Sequence, residues 1–179
     1  MSDSTTSDGG GYRVLARKYR PKDFTDLIGQ EPMVRTLTNA FETGRIAQAY
    51  MLTGVRGVGK TTTARILARG LNFQTSEVDK PTVDIREIIE QVRYRPVSAR
   101  YKVYIIDEVH MLSTQAFNGL LKTLEEPPPH VKFIFATTEI RKVPVTVLSR
   151  CQRFDLRRIE ASALVAHFRS IAEQEKVTV

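Results

Sequence analysis

The sequence predicts an α/β fold in which helices flank a parallel β-sheet. Two observations support this fold class. Short apolar runs typical of buried strands occupy residues 49–52, 103–106 and 131–136. Between them lie longer segments whose apolar residues recur at helical spacing. Buried strands that alternate with amphipathic helices are typical of layered domains whose ligands bind at the carboxyl ends of parallel strands.

The helices are predicted from apolar spacing and from their end signals. Asp84 and Glu87 have the spacing of a capping box, and Pro127 is placed to end the helix before it. We expect helices at about residues 32–41, 62–71, from 84 onward and 113–126, with a short apolar helical stretch at 144–148. The folded domain is predicted to span residues 12–158, after a flexible polar lead at residues 1–11.

Composition limits the function without defining it. The 179 residues are enough for one core, with 41% hydrophobic and 26% charged residues. The net charge of +7 suits a protein that works beside polyanions such as ATP or nucleic acid, although the basic residues are scattered. Cys151 is the only cysteine, which excludes an intramolecular disulfide and a cysteine-based zinc site within this chain. With no signal-peptide pattern and no long apolar run, we expect a cytoplasmic protein that does not enter a membrane.

A phosphate-binding motif lies between the first predicted strand and the second predicted helix. It fits the pattern G-x-x-x-x-G-K-[ST], a P-loop, in which main-chain amides cradle phosphates and the helix dipole favours their charge. A Gly-rich surface turn with an incidental lysine is the alternative, and the strand and helix on either side argue against it. The residues expected to bind ATP or GTP are Gly54, Val55, Arg56, Gly57, Val58, Gly59, Lys60, Thr61 and Thr62.

Two acids follow the strand at residues 103–106. They are Asp107 and Glu108, which we expect on a strand adjacent to the P-loop strand, at its carboxyl end. Asp107 is a candidate to hold the water shell of Mg²⁺, and Glu108 to accept a proton from a water aligned on the γ-phosphate. A solvated acidic strand end is the alternative.

Two further residues are candidates for roles at a nucleotide site. Thr138 ends the strand at residues 131–136 and could sense the γ-phosphate, although threonine is also common at strand ends. Arg150 could complete a neighbouring molecule's nucleotide site, or it could be an ordinary solvated arginine. His110, His130 and His167 lack metal-ligand spacing, so none is assigned a ligand role.

Four longer segments together resemble the AAA+ ATPase domain of the bacterial DNA polymerase III gamma/tau family. They are AYMLTGVRGVGKTTTARILARGLN, VYIIDEVHMLSTQAFNGLLKTLEEPP, FIFATTE and VPVTVLSRC. The resemblance extends from Leu15 to about Leu156 and implies a P-loop NTPase of the AAA+ class. It further implies an ATP-driven subunit of the DNA polymerase III holoenzyme that, with other clamp-loader subunits, sets the sliding clamp on primer-template DNA. Such a subunit belongs to a DNA-directed DNA polymerase without polymerase chemistry of its own.

The resemblance also implies roles for individual residues. Lys60 and Thr61 bind the β/γ-phosphates and Mg²⁺, Asp107 holds the metal, and Glu108 activates water. These residues then form the centre of an ATPase site.

The remaining implied roles lie outside the P-loop and the acids. By the resemblance, Thr138 is a sensor and Arg150 is an arginine finger that acts in trans on a neighbouring subunit. The implied adenine-side wall consists of Ala16, Arg17, Arg20, Pro21 and Ile28.

The chain departs from the family pattern in two places. The family carries a cysteine zinc module between the P-loop helix and the helix predicted at Asp84, whereas a short polar stretch stands there in this chain, so zinc is not predicted. Residues 159–179 are expected to form the first helix of the family's lid domain, with the rest of the lid absent.

Two alternative functions stay open at the level of sequence. Asp107 to His110 spells D-E-x-H, as in one superfamily of nucleic-acid helicases, although a helicase needs a second motor domain. A module that binds ATP as a switch or scaffold without hydrolysing it is the other alternative.

Overall fold

A computed structural model describes residues 15–72 and 100–177. Its strands form one parallel sheet in the order β2-β3-β1-β4, with helices on both faces, which confirms the predicted fold class. The elements are α1 (Leu15–Lys18), α2 (Glu31–Glu42), β1 (Ala49–Thr53), α3 (Lys60–Leu71), β2 (Lys102–Ile106), α4 (Thr114–Glu125), β3 (Val131–Thr137), α5 (Val145–Leu148), β4 (Gln152–Asp155) and α6 (Ala161–Gln174). Short 3₁₀ turns occupy Phe24–Asp26, Val109–Met111 and Ile140–Lys142.

The two central strands explain why the sequence shows continuous apolar runs. Every residue of β1 and β3 is buried. In β1, Ala49 and Met51 pack into the core beside α4 and α5, while Tyr50 and Leu52 pack into the core beside α2 and α3. A strand covered on both faces favours apolar side chains along nearly its whole length, and the buried polar exceptions here are Thr53, Lys132 and Thr137. The core is therefore two apolar layers separated by one sheet.

The strand order corrects one sequence-based expectation. We expected the acid-bearing strand β2 beside the P-loop strand β1, and this is wrong because β3 lies between them. Chain order does not encode strand order, since the connection from β1 to β2 passes a position that β3 later fills. The carboxyl ends of all four strands still share one edge of the sheet, so the residues that follow β1, β2 and β3 meet there.

Most predicted elements are confirmed within a residue or two. Ser113 caps α4 as its hydroxyl accepts the Ala116 N–H at 3.2 Å, in line with the start predicted from sequence. The sequence did not reveal β4, because only Phe154 of its four residues is buried and no apolar run marks it. The helix predicted from Asp84 lies outside the described residues.

Helix α6 lies against the rest of the domain without burying any of its residues. Val165 and Phe168 are exposed on it. Glu175, just beyond its end, accepts the Lys18 ammonium at 2.5 Å and also the Tyr19 hydroxyl. The assignment of residues 159–179 to a lid domain stays a prediction. No helix in the described part of the chain is long and apolar enough to cross a membrane.

Candidate nucleotide-binding site

The P-loop turns tightly from β1 onto the first turn of α3. Position 54 requires glycine, because a Cβ there would lie 2.8 Å from Val58 Cγ1 and 3.0 Å from the Leu156 carbonyl oxygen. Gly59 caps α3 in the left-handed conformation, with φ at 99°. The first amides of a helix have no intrahelical partner, so this turn presents N–H groups and the positive end of the helix dipole to one point. The loop thus fits a phosphate group.

Lys60 is nearly buried, with 6% of the residue exposed. Its ammonium donates to the carbonyl oxygens of Gly54, at 2.9 Å, and Val55, at 3.0 Å. A buried charge needs hydrogen-bond partners, and here the loop itself supplies them. The lysine is therefore held at the loop, in position to donate to phosphate oxygens.

The end of β2 reaches the P-loop through one direct contact. The Thr61 hydroxyl donates to Asp107 Oδ2 at 2.5 Å, while Oδ1 accepts the Glu108 N–H at 2.9 Å. A hydroxyl and a carboxylate side by side are the oxygen donors that Mg²⁺ takes in nucleotide sites. The donor set fits Mg²⁺ bound together with a triphosphate.

Glu108 has an unusual backbone conformation. Its φ of 47° and ψ of 46° place it in the left-handed region, which costs a non-glycine residue roughly 1–2 kcal/mol. Its Oε2 accepts the Thr138 hydroxyl at 3.2 Å and lies 3.3 Å from His110 Nδ1. The structure thus brings the predicted water-activating acid and the predicted sensor into direct contact.

His110 is a member of this cluster that the sequence analysis left without a role. Only 6% of its side chain is exposed, and Nδ1 lies 2.9 Å from Thr137 Oγ1. Nε2 faces Glu139 Oε1 at 3.7 Å, and Glu139 pairs with Lys142 at 2.7 Å. The hydrogen bond from Lys142 lowers the pKa of Glu139, with a smaller contribution from His110. The only sequence signal for this residue is its place three positions after the metal-binding candidate Asp107.

Both acids and most of the predicted P-loop residues line one cavity of about 370 Å³, whereas Gly54, Val55 and Val58 are outside its lining. Arg20 belongs to it as well, because its Nε donates to the Thr62 hydroxyl at 2.9 Å in the first turn of α3. This contact places Arg20 beside the phosphate cradle. The lining residues are Arg20, Arg56, Gly57, Gly59, Lys60, Thr61, Thr62, Asp107 and Glu108.

Several predicted site residues lie elsewhere. Arg150 follows α5, where Nη1 donates to the Thr146 carbonyl oxygen at 2.6 Å and Nη2 pairs with Glu125 at 3.2 Å. It is outside the lining of this cavity, so its role within a neighbouring subunit stays a prediction. The adenine-side role of the other predicted wall residues, which are Ala16, Arg17, Pro21 and Ile28, also stays a prediction.

Three comparisons relate the chain to known proteins. The sequence profile described as "DNA polymerase III, delta subunit" matches residues 80–160. The tau/gamma subunit of DNA polymerase III from Haemophilus influenzae is 43% identical over 194 aligned positions, which cover 93% of this chain and 28% of that protein. The tau subunit from Bacillus subtilis is 42% identical over 94% of this chain and 35% of that protein. This chain therefore spans about a third or less of these relatives' length.

One solved structure adds to the evidence for the fold. The RuvB Holliday junction branch migration motor of Thermotoga maritima superposes with a TM-score of 0.71 and 23% identity, over 89% of this chain and 55% of that one. At this identity the likeness concerns the fold alone.

Proposed function

Because the chain belongs to the DNA polymerase III gamma/tau family, we propose that it is an ATP-hydrolysing motor subunit of a clamp loader. The observation that carries the proposal is the 2.5 Å contact between the Thr61 hydroxyl and Asp107. This contact joins the phosphate cradle to the acidic strand end, so that one cavity contains donors for phosphates, ligands for a cation and a carboxylate base.

The cradle residues bind and orient the triphosphate. Main-chain amides of the loop and the Lys60 ammonium donate to phosphate oxygens, and Arg20 adds a second cation beside the first turn of α3. Thr61 and Asp107 would hold Mg²⁺, which supplies charge neutralisation on the phosphates during phosphoryl transfer. These residues account for nucleotide binding.

The acidic end of the site activates water. The Glu108 carboxylate accepts a proton from the water that attacks the γ-phosphate, and Thr138 donates to the same region. Held against Thr138, the carboxylate is fixed at the cavity wall before substrate arrives, which lowers the entropy cost of aligning it.

Assembly into a complex completes the proposal. Arg150 would leave Glu125 and reach the ATP site of a neighbouring subunit as an arginine finger, since both of its present partners lie at the protein surface. The proposed partners are the other clamp-loader subunits, the sliding clamp and primer-template DNA. The net charge of +7 supports work close to nucleic acid. A cytoplasmic location is part of this proposal.

The experiment is steady-state ATP hydrolysis by the full-length protein in its complex, with and without clamp and primed DNA. We expect Arg150→Ala to lower the turnover number by about 10³–10⁵ while nucleotide binding persists, as for arginine fingers in other NTPases. Arg141→Ala, an exposed arginine on the neighbouring 3₁₀ turn, is the matched control and should retain wild-type turnover.

Two outcomes would overturn the proposal. Nucleotide binding without any turnover in the assembled wild-type complex would favour a switch or scaffold module. Strand separation of duplex DNA at a rate that matches ATP turnover would favour the helicase alternative.

A further inference from the structure

His110 contacts Glu108, which in turn contacts Thr138. Its ring is buried, and Nδ1 lies within 3.3 Å of both Glu108 Oε2 and Thr137 Oγ1. Thr137 and Thr138 are consecutive at the end of β3. Thr137 contacts the His110 imidazole, and Thr138 donates to the Glu108 carboxylate. The three groups therefore form one connected cluster.

Hydrogen-bond chemistry decides where the imidazole proton lies. An ionised carboxylate offers only acceptors, so the position of Glu108 Oε2 beside Nδ1 favours a proton on Nδ1. The Thr137 hydroxyl oxygen accepts the Glu139 N–H at 3.0 Å through one lone pair. Its second lone pair can accept the proton on Nδ1, which then lies between Thr137 Oγ1 and Glu108 Oε2. The charged groups that face the ring are Glu108 and Glu139, and Lys142 partly neutralises the second.

Glu108 needs such a contact because its oxygen atoms are otherwise weakly constrained. The side chain is 46% exposed, and its backbone occupies the left-handed region. Of the contacts described, two reach Oε2: the Thr138 hydroxyl donates to it at 3.2 Å, and His110 Nδ1 lies at an ion-pair distance of 3.3 Å. Removing one of two donors frees an exposed carboxylate to rotate toward solvent.

We propose that His110 is a positioning residue that holds the Glu108 carboxylate against Thr138 through an Nδ1–H donor, with Thr137 fixing the ring. The inference rests on the proposed function, because it assigns His110 to the alignment of the water-activating acid. His110 is outside the lining of the cavity, so we expect it to affect the turnover number and to leave nucleotide affinity unchanged.

The test compares three substitutions of His110 in the full-length protein within its complex. In His110→Asn the side-chain amide nitrogen takes the place of Nδ1. In His110→Gln it takes the place of Nε2. We expect His110→Ala and His110→Gln to lower kcat about 10- to 100-fold with an unchanged ATP Kd, and His110→Asn to stay within about three-fold of wild type. A merely structural role predicts the reverse order of the two amides, because glutamine is closer to histidine in volume.

Equal activity of the glutamine and asparagine variants, or wild-type kcat in His110→Ala, would overturn the inference. Should His110→Ala not fold, the pair Thr137→Val and Thr137→Ser gives a second test, since only serine keeps the hydroxyl that fixes the ring. We expect kcat to fall in the valine variant and to recover in the serine variant, and equal kcat in both would also count against the inference.

Glu108→Gln in the same assay separates this inference from the proposed function. Loss of turnover in Glu108→Gln together with full turnover in His110→Ala would refute the positioning role alone. Full turnover in both would refute the assignment of Glu108, and with it the proposed mechanism.

Discussion

The two halves of the candidate site are built in different ways. The phosphate cradle is one continuous stretch, Gly54 to Thr62, between β1 and α3, and its lysine bonds to carbonyls of its own loop. The proposed hydrolytic cluster combines Glu108 and His110, which follow β2, with Thr138, which follows β3. The first half is local in sequence, and the second depends on which strands lie side by side.

This difference teaches which contacts a short motif can specify. Closing a loop of a few residues costs little entropy and leaves few alternative geometries, so the cradle forms wherever its residues occur between a strand and a helix. Side chains some thirty positions apart, such as Glu108 and Thr138, meet only after the sheet has formed. We therefore expect substitutions in the cradle to change binding and substitutions in the cluster to change turnover.

Among substitutions in these two halves of the site, the largest expected effect is on turnover, in Glu108→Gln. Glutamine keeps the size of the side chain and loses the ability to take a proton, so kcat should fall by about 10²–10⁴. The ATP Kd, measured by titration calorimetry, should match wild type. A comparable loss of ATP affinity would contradict the expectation that substitutions in the cluster change turnover and not binding.

Lys60→Ala should instead act on binding. Losing a charged hydrogen-bond donor to phosphate should weaken ATP affinity by about 10- to 100-fold, as measured by the same titration. Lys122→Ala removes an exposed lysine from the last turn of α4 and serves as the control for net charge. Equal weakening in both variants would show that overall charge, and not the cradle, governs affinity.

Gly59→Ala tests the phosphate cradle, and Gly44→Ala outside it is the matched control. Gly59 and Gly44 both have positive φ, at 99° and 69°, and an added Cβ would meet no atom within 4 Å at either position. Each alanine should therefore destabilise the fold by about 1 kcal/mol through backbone strain alone, as measured by urea denaturation. Only Gly59→Ala should also weaken nucleotide binding, and weakening in Gly44→Ala would be evidence of a global effect.

The smallest expected effect is a gain in stability from Tyr104→Phe. Among the described residues the Tyr104 hydroxyl is buried without a hydrogen-bond partner, so its removal should raise the free energy of unfolding by about 1 kcal/mol. Turnover should not change, because the ring packs in the core beside Phe133. A loss of stability on denaturation would show that the hydroxyl has a partner.

Tyr104 also predicts alkaline sensitivity. Burial raises its pKa from 10.0 to about 12. The unfolded chain loses this proton near pH 10, whereas the folded protein keeps it until about pH 12. The contribution of Tyr104 to stability is therefore fully present below pH 10 and is lost as the pH rises from about 10 through 12. Denaturation midpoints across that pH range should fall less steeply in Tyr104→Phe than in wild type, and parallel curves would contradict the assignment.

Much of the fold was predictable because the core strands are buried on both faces and leave continuous apolar runs. Strand β4 was not, since an edge strand with the sequence Gln-Arg-Phe-Asp buries only its phenylalanine and has no alternating pattern. The adjacency of β2 and β1 was predicted wrongly for a different reason: strand order follows from how crossovers pack, and chain order does not record it.

The sequence by itself determined the P-loop, the acid pair and the strand ends that carry them, because these depend on local backbone geometry and on apolar patterning. Only the tertiary structure decided that β3 lies between β2 and β1, that Asp107 meets Thr61, and that His110 lies between Thr137 and Glu108. The physical reason is that a buried histidine and a strained glutamate acquire their chemistry from neighbours distant in the chain, which folding brings within hydrogen-bond distance.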